Sequence, residues 1–142
     1  VSMREIKFRG RNIEGEWLYG DLINSKINNT PTAFIFPADA PNSYDRYSVN
    51  PNTVGQFTGL HDKNGKEIYE GDIISRKYTI GPQCCFSEGK EEINYIGFRQ
   101  SECKFIVVCA NRHHDLYEPY NIHVEVIGNI HDNPELLNRK NK

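Results

Sequence analysis

The chain has 142 residues, which is enough for one domain or two small units. Its net charge of −2 and pI near 6.2 argue against a protein dedicated to coating nucleic acid. With a mean hydropathy of −0.66, no stretch reaches the roughly 20 apolar residues of a membrane helix, so we expect no membrane association. Eight Tyr and seven Phe favour half-buried β surfaces over a helical bundle.

The first 50 residues predict a small hairpin region. Residues 5–9 alternate apolar and polar side chains, which predicts a strand with one face turned to solvent. Residues 16–23 predict the returning strand, with Gly20 marking a bulge or a close backbone approach. A polar loop is expected over residues 24–30, and a short apolar strand over residues 32–36.

The most informative stretch is residues 53–74, which predicts a hairpin, a tight bend and another strand. Asp62, Asn64 and Gly65 have the residue preferences of a bulged type I turn, with Gly65 at positive φ. Gly71 and Asp72 mark a second turn. A calcium loop is excluded because Gly would have to be sixth in the loop, whereas Gly65 is fourth counted from Asp62.

The remainder of the chain alternates strands and loops. Loops are expected over residues 83–92, which contain Cys84 and Cys85, and over residues 111–119, which contain His113 and His114. Strands are predicted at residues 93–98, 104–109 and 124–130, and Pro134 begins a short helical turn. Many short strands with Gly, Pro and Asn between them predict an all-β barrel or sandwich.

Three segments resemble one family. They are MREIKFR at residues 3–9, VGQFTGL followed by DKNGKEIYEGDI at residues 54–60 and 62–73, and VIGNI followed by NPELL at residues 126–130 and 133–137. Together they resemble the YopX family of phage and prophage proteins. The resemblance implies a phage or integrated-element origin and a small SH3-like β roll in the C-terminal part. It brings no established activity and no catalytic residues to assign.

Fold and resemblance together predict an all-β chain: an SH3-like barrel or roll with an added N-terminal β-hairpin region and a short C-terminal helical turn. The predicted limits are 1–50 for the hairpin region, 51–137 for the barrel and 138–142 for a frayed tail.

Metal, cofactor and catalytic signals are weak. Cys84 and Cys85 are adjacent and Cys103 and Cys109 are six residues apart, neither of which is zinc-ligand spacing. Cys103 and Cys109 fit buried positions on a strand, and no phosphate-binding motif is present. We therefore expect no metal, no cofactor and no catalytic residues.

The best functional lead is the basic N-terminal strand. Lys7, Arg9 and Arg11 would share one face, with Trp17 and Tyr19 across the hairpin. Basic and aromatic side chains on a β surface bind single-stranded nucleic acid in small barrels. A solvated face that protects a sheet edge explains the same residues and fits the acidic net charge better.

The sequence thus predicts a non-enzymatic interaction module with an unknown host or phage protein partner. The alternatives are a single-stranded nucleic-acid-binding β-barrel and a small enzyme without a recognisable motif. Self-association stays open, and the absence of an apolar leader near residue 1 leads us to expect a cytoplasmic protein.

Overall fold

A computed structural model describes residues 3–42, 45–77, 91–109, 113–116 and 123–138. Within these ranges the chain is built from antiparallel strands and short 3-10 turns, which confirms the all-β prediction. No helix in the described ranges is long and apolar enough to cross a membrane. The strands are β1 (Phe8–Arg11), β2 (Trp17–Ile27), β3 (Thr30–Pro37), β4 (Tyr47–Val49), β5 (Gly55–His61), β6 (Glu67–Tyr69), β7 (Asp72–Lys77), β8 (Glu91–Arg99), β9 (Lys104–Val108), β10 (His113–Asp115) and β11 (Val124–Asn129).

The strands form two sheets, with the orders β4-β3-β2-β1-β5-β6 and β10-β9-β8-β7-β11. Two compact units divide the chain, Val1–Gly59 and Leu60–Lys142. The domain limits drawn from the sequence, and the SH3-like character of the C-terminal part, stay predictions.

The first unit is dominated by a long β2–β3 hairpin. Its strands pair without interruption from Gly20 opposite Pro37 to Ile27 opposite Thr30. Asn28 and Asn29 close it with φ angles of 49° and 64°, the two positive values that a type I′ hairpin turn requires. The polar loop predicted over residues 24–30 is therefore wrong, because the outer half of the hairpin is exposed and carries polar side chains.

The core of the first unit is small and depends on close backbone packing. Ala33, Ile35 and Val49 are buried, and four partly buried side chains pack against them: Phe8, Leu18, Leu22 and Val54. A Cβ on Gly10 would lie 2.6 Å from Val49 Cγ2, so β1 needs a glycine at this point. A Cβ on Gly20 would lie 1.8 Å from the Phe36 carbonyl oxygen, which is a close backbone approach of the kind expected there.

The second unit has a larger, aliphatic core. Six buried side chains form it: Ile68, Ile74, Ile96, Val107, Val124 and Val126. They come from four strands of the five-stranded sheet and from β6, so side chains from strands far apart in sequence pack together in one core. Branched aliphatic side chains suit this position because they pack tightly on a pleated surface.

Two local predictions in the second unit are wrong. Residues 113–115 are not loop but form β10, in which His113 pairs with Val108. Cys103 is exposed at φ 51°, because a 3-10 turn over Gln100–Glu102 precedes β9 and Cys103 ends that turn outside the strand. Cys84 and Cys85 lie outside the described residues. The predicted C-terminal helical turn is confirmed as a 3-10 turn over Pro134–Asn138.

Candidate functional site

The basic residues of the N-terminal strand are engaged within the first unit. Lys7 Nζ lies 3.1 Å from Glu5 Oε1 and 5.2 Å from the centre of the Phe57 ring. Arg9 is only 6% exposed, and its guanidinium lies 4.8 Å from the centre of the Trp17 ring. The solvated basic face expected from the alternation is thus wrong for Arg9.

Arg11 fastens the turn that joins β1 to β2. Its Nε donates to the Gly15 carbonyl oxygen at 3.2 Å, and its backbone N–H donates to Thr53 Oγ1 at 2.9 Å. Its carbonyl oxygen accepts from Asn50 N at 2.8 Å. The nucleic-acid hypothesis built on Lys7, Arg9, Arg11, Trp17 and Tyr19 stays a prediction. Because Arg9 is buried, Lys7 and Arg11 are the basic side chains of this strand that could reach a phosphate.

The Asp62 turn is a structural clamp on strand β11. Asp62 Oδ1 accepts from Asn64 N at 2.8 Å and Lys66 N at 2.9 Å, while Oδ2 accepts from Val126 N at 2.9 Å. Lys63 N donates to the Val124 carbonyl oxygen at 3.0 Å. Gly65 has a φ of 81°, the conformation of the bulge position. The turn therefore occupies backbone groups of β11 that would otherwise form an open sheet edge.

The hydrogen bonds of this clamp favour the ionised form of Asp62. Burial raises the pKa of its carboxyl, but the N–H donors of Val126, Lys66 and Asn64 outweigh burial and hold the pKa below its usual value. A carboxylate that accepts several backbone N–H groups is a strong hydrogen-bonding centre.

Gly71 and Asp72 form a second structural point. Asp72 is 1% exposed, and its Oδ2 accepts from Tyr69 N at 2.8 Å. Gly71 N donates to the Ile96 carbonyl oxygen at 2.8 Å, and the Gly71 carbonyl oxygen accepts from Ile130 N at 2.9 Å. These residues connect β6 and β7 with neighbouring strands of the same unit and offer no exposed chemistry.

The first unit also carries a groove that the sequence did not predict. We call it the aromatic groove. It measures about 450 Å³ and is lined by Trp17, Leu18, Tyr19, Pro37, Asp39, Ala40, Pro41 and Tyr47. Tyr19 and Tyr47 are each 44% exposed. Its volume is within the range of pockets that bind small ligands or short peptide segments.

The wall of the aromatic groove is held by the sheet beneath it. The register places the side chains of Trp17 and Tyr19 on the same face as Arg9 and Arg11. Leu18, Pro37 and Tyr47 lie on the opposite face, which also carries the buried Ile35. Pro37 ends β3, so the segment containing Asp39 and Pro41 starts directly from the sheet. The breaks at Pro41 and Asn42-Ser43 predict irregular chain over residues 38–50, and this prediction is wrong for Tyr47–Val49, which forms β4.

Comparison with known proteins identifies the family. A family model described as YopX protein matches residues 7–138. The chain belongs to the YopX family. This confirms the resemblance carried by the three sequence segments.

A solved structure supports the fold of this YopX family member. The crystal structure of protein EF1440 from Enterococcus faecalis is similar, with a TM-score of 0.57 and 24% sequence identity over 95% of this chain and 99% of that one. At this identity the likeness shows the fold alone. A search of curated proteins found no match.

A second, larger groove in this YopX protein is a weaker candidate. It measures about 730 Å³ and is lined by the β1–β2 turn and by residues around β4. Several of its polar groups are already hydrogen-bonded: Arg11 to Gly15 and Thr53 within the lining, and Asn12 Nδ2 to Glu16 Oε2 outside it at 3.1 Å. Lining groups already paired in this way have less hydrogen-bonding capacity for a ligand.

Among the residues that the structure describes in this YopX protein, no three His, Cys, Asp or Glu side chains converge on a common point as a metal centre requires. The acidic side chains Glu102 and Asp115 instead flank Lys104, and Arg99 Nη1 lies 2.6 Å from Glu102 Oε1. Hydrogen bonds from Lys104 and then Arg99 lower the pKa of Glu102 to about 2. This is a surface ion-pair network.

Proposed function

We propose that this YopX family member is a phage or prophage accessory protein that works in the cytoplasm as a non-enzymatic interaction module. Its protein partner binds in the aromatic groove of the first unit. The observation that carries the proposal is the groove itself, which Leu18, Pro37 and Tyr47 line from one face of the sheet, with Trp17 and Tyr19 at its border on the opposite face. Aromatic side chains dominate the energetics of protein interfaces because they bury much apolar area with little loss of conformational freedom.

The division of roles within the chain supports this proposal. The family-like residues Asp62, Gly65 and Asp72 are committed to turns and strand connections in the second unit. The exposed tyrosines of the aromatic groove are not part of either buried core. Large exposed aromatic side chains in a concavity are typical of binding surfaces.

Single-stranded nucleic acid is the competing ligand, and the groove favours it less. Asp39 is the charged residue among the groove's lining side chains, and a carboxylate repels a phosphodiester backbone. Arg9, whose guanidinium stacks on the Trp17 ring, is buried. The basic side chains therefore do not form the continuous positive track that single-strand binding uses.

The test uses the natural fluorescence of the groove. Trp17 is the single Trp of the chain, so its emission reports on this groove without a label. A random peptide library displayed on a carrier is selected against the folded protein, and Trp-free versions of the selected peptides are titrated. We expect a saturable change in Trp17 emission that Tyr47→Ala weakens at least tenfold, as for a central interface residue.

Phe98→Ala is the matched control, because Phe98 is 42% exposed, close to the 44% of Tyr47, but belongs to the second unit. It should leave the affinity unchanged. If library selection yields no peptide that changes Trp17 emission, or if Phe98→Ala is as harmful as Tyr47→Ala, the proposed function is wrong.

A further inference from the structure

We propose that two copies of this chain pair through one face of the β2–β3 hairpin, as a symmetric dimer in which Asp21 of each copy meets Arg46 of the other. We call this surface the hairpin face. Its residues are Asp21, Ile23 and Ile27 on β2, Phe34 and Phe36 on β3, and Arg46 just before β4. None of these residues lines the aromatic groove, so this proposal and the proposed function stand or fall independently.

The strand register gathers the side chains of the hairpin face on one side of the sheet. Asp21 lies opposite Phe36 and Ile23 lies opposite Phe34, and directly opposed residues of an antiparallel pair share a face. Arg46 is on the same side, because its guanidinium lies 5.4 Å from the centre of the Phe34 ring. The alternate residues of these strands point to the other side, where they form or pack against the small core of the first unit.

The hairpin face is apolar and open to solvent. Ile23 and Ile27 are 40% and 54% exposed, and Phe34 and Phe36 are only partly buried. None of the four is part of either buried core cluster. A two-stranded hairpin buries little apolar surface by itself, so a second apolar layer on this face would stabilise it. Contiguous apolar surface bordered by charged side chains is typical of protein interfaces.

The charges identify a second copy of the chain as the occupant. Asp21 and Arg46 lie on opposite sides of β3, with Phe36 between them. Both are exposed, and neither makes an ion pair within the part of the chain that the structure describes. A partner with only acidic or only basic residues would leave one of these charges unmatched.

A two-fold rotation matches both charges at once. Turning one copy by 180° about an axis that runs along β3 exchanges the two sides of the face, which brings Asp21 of each copy over Arg46 of the other. The same rotation stacks the two Phe34–Phe36 rows and places Ile23 over the small Ser48, since both lie in one row with Phe34. A face that is complementary to itself in this way fits an isologous dimer, and sheets do pack face to face with nearly aligned strands.

The experiment measures the mass of the full chain by sedimentation equilibrium over a dilution series. The parent should have twice the 16.4 kDa of one chain. Asp21→Arg and Arg46→Asp each bring like charges together at two points of the symmetric interface, so each should weaken the dimer at least about tenfold. Lys26→Asp is the matched control. It makes the same change of charge at an exposed position of the same hairpin but on the other face, and should leave the dimer unchanged.

Mixing the two reversed variants is the decisive measurement. In a heterodimer of D21R with R46D, an acidic side chain again meets a basic one at both points of the interface. The mixture should therefore recover a dimer of about the parent's affinity, although each variant alone is weakened at least about tenfold. Recovery also shows that both variants are folded. Added salt should strengthen the self-association of each single variant, because it screens the repulsion.

Three results would overturn the proposal. The first is a parent that remains monomeric throughout the dilution series. The second is a dimer that neither charge reversal weakens, or that Lys26→Asp weakens equally, because association would then use another surface. The third is a mixture of D21R and R46D that associates no better than either variant alone.

Discussion

The two units of the chain use their side chains differently. In the second unit, six branched aliphatic residues form a buried core, and the Asp62 carboxylate accepts a hydrogen bond from the backbone of strand β11. In the first unit the buried cluster is three residues, Ala33, Ile35 and Val49; Phe57 is also buried, whereas Tyr19 and Tyr47 are each 44% exposed. The contrast fits the proposal that the first unit carries a binding surface, since exposed aromatic surface is often used for recognition.

Removing the Asp62 carboxylate should have the largest effect on the scaffold. Asp62→Ala leaves the buried Val126 N–H without its acceptor and loosens the turn, so we expect a loss of roughly 2–4 kcal/mol in the free energy of unfolding, measured by urea denaturation. Glu125→Ala is the control on the same strand. It removes only the exposed Lys63–Glu125 pair and should change stability by less than about 1 kcal/mol. Equal losses of stability in the two variants would show that the hydrogen bonds of Asp62 contribute no more than a surface ion pair.

Gly65 tests the turn conformation itself. Gly65→Val should destabilise the protein by about 1–3 kcal/mol because a β-branched residue is strained at a φ of 81°. Gly65→Asn should be milder, since Asn tolerates positive φ better than other side chains. No atom lies within 4 Å of a Cβ built at Gly65, so the effect reports backbone strain and not a clash. A melting temperature unaffected by Val would contradict the turn geometry.

Gly10 is the corresponding test in the first unit, and here the cause is crowding. Gly10→Ala should destabilise by about 1–2 kcal/mol because its Cβ would contact Val49, a side chain of the small core. Hydrogen exchange should show faster opening of β1 to β4 with little change in β7 to β9. Uniform acceleration through both sheets would mean that the two units open as one.

The effect of pH follows from the lowered pKa of Asp62. Its folded pKa is below the ordinary value of 3.8, so its stabilisation is complete above that value and is lost as the pH falls through the folded pKa. The stability difference between the parent and Asp62→Asn should therefore be constant at neutral pH and shrink below about pH 4. A difference that persists unchanged at pH 2 would show that charge plays no part in the clamp.

The smallest expected effect concerns the surface network of the second unit. Lys104→Met should raise the pKa of Glu102 from about 2 toward 4.5, because the Lys104 hydrogen bond is its largest cause, with little change in stability. Carboxyl chemical shifts followed against pH measure this directly. An unchanged Glu102 pKa would show that Arg99 alone holds it.

The sequence was informative where local chemistry fixes the backbone. Asp62 and Gly65 specify a turn through residue preferences that few other arrangements share, and short runs rich in apolar residues predict β8, β9 and β11. It failed where tertiary contacts decide the outcome. The outer half of β2 has polar side chains, which predict a loop, and β10 forms by pairing with β9, from His113 opposite Val108 to Asp115 opposite Ile106.

For the same reason, only some residues of the candidate site could be predicted from the sequence. Trp17 and Tyr19 were singled out, but alternation alone placed Arg9 on a solvated face, whereas the structure buries it against Trp17. Asp39 and Tyr47 are distant from Trp17 in sequence and come to one groove through the β2–β3–β4 order. No local pattern encodes such a convergence.

The central claim is that the first unit binds the protein partner and that the second unit is a structural scaffold. The most direct test is a two-dimensional amide NMR titration of the labelled protein with the tightest-binding peptide selected from the displayed library. The account predicts shifts confined to the residues of the aromatic groove and their neighbours on β2 and β4, with those of β7 to β11 unchanged. Shifts centred on the second unit, around Phe98 or the Asp62 turn, would contradict it.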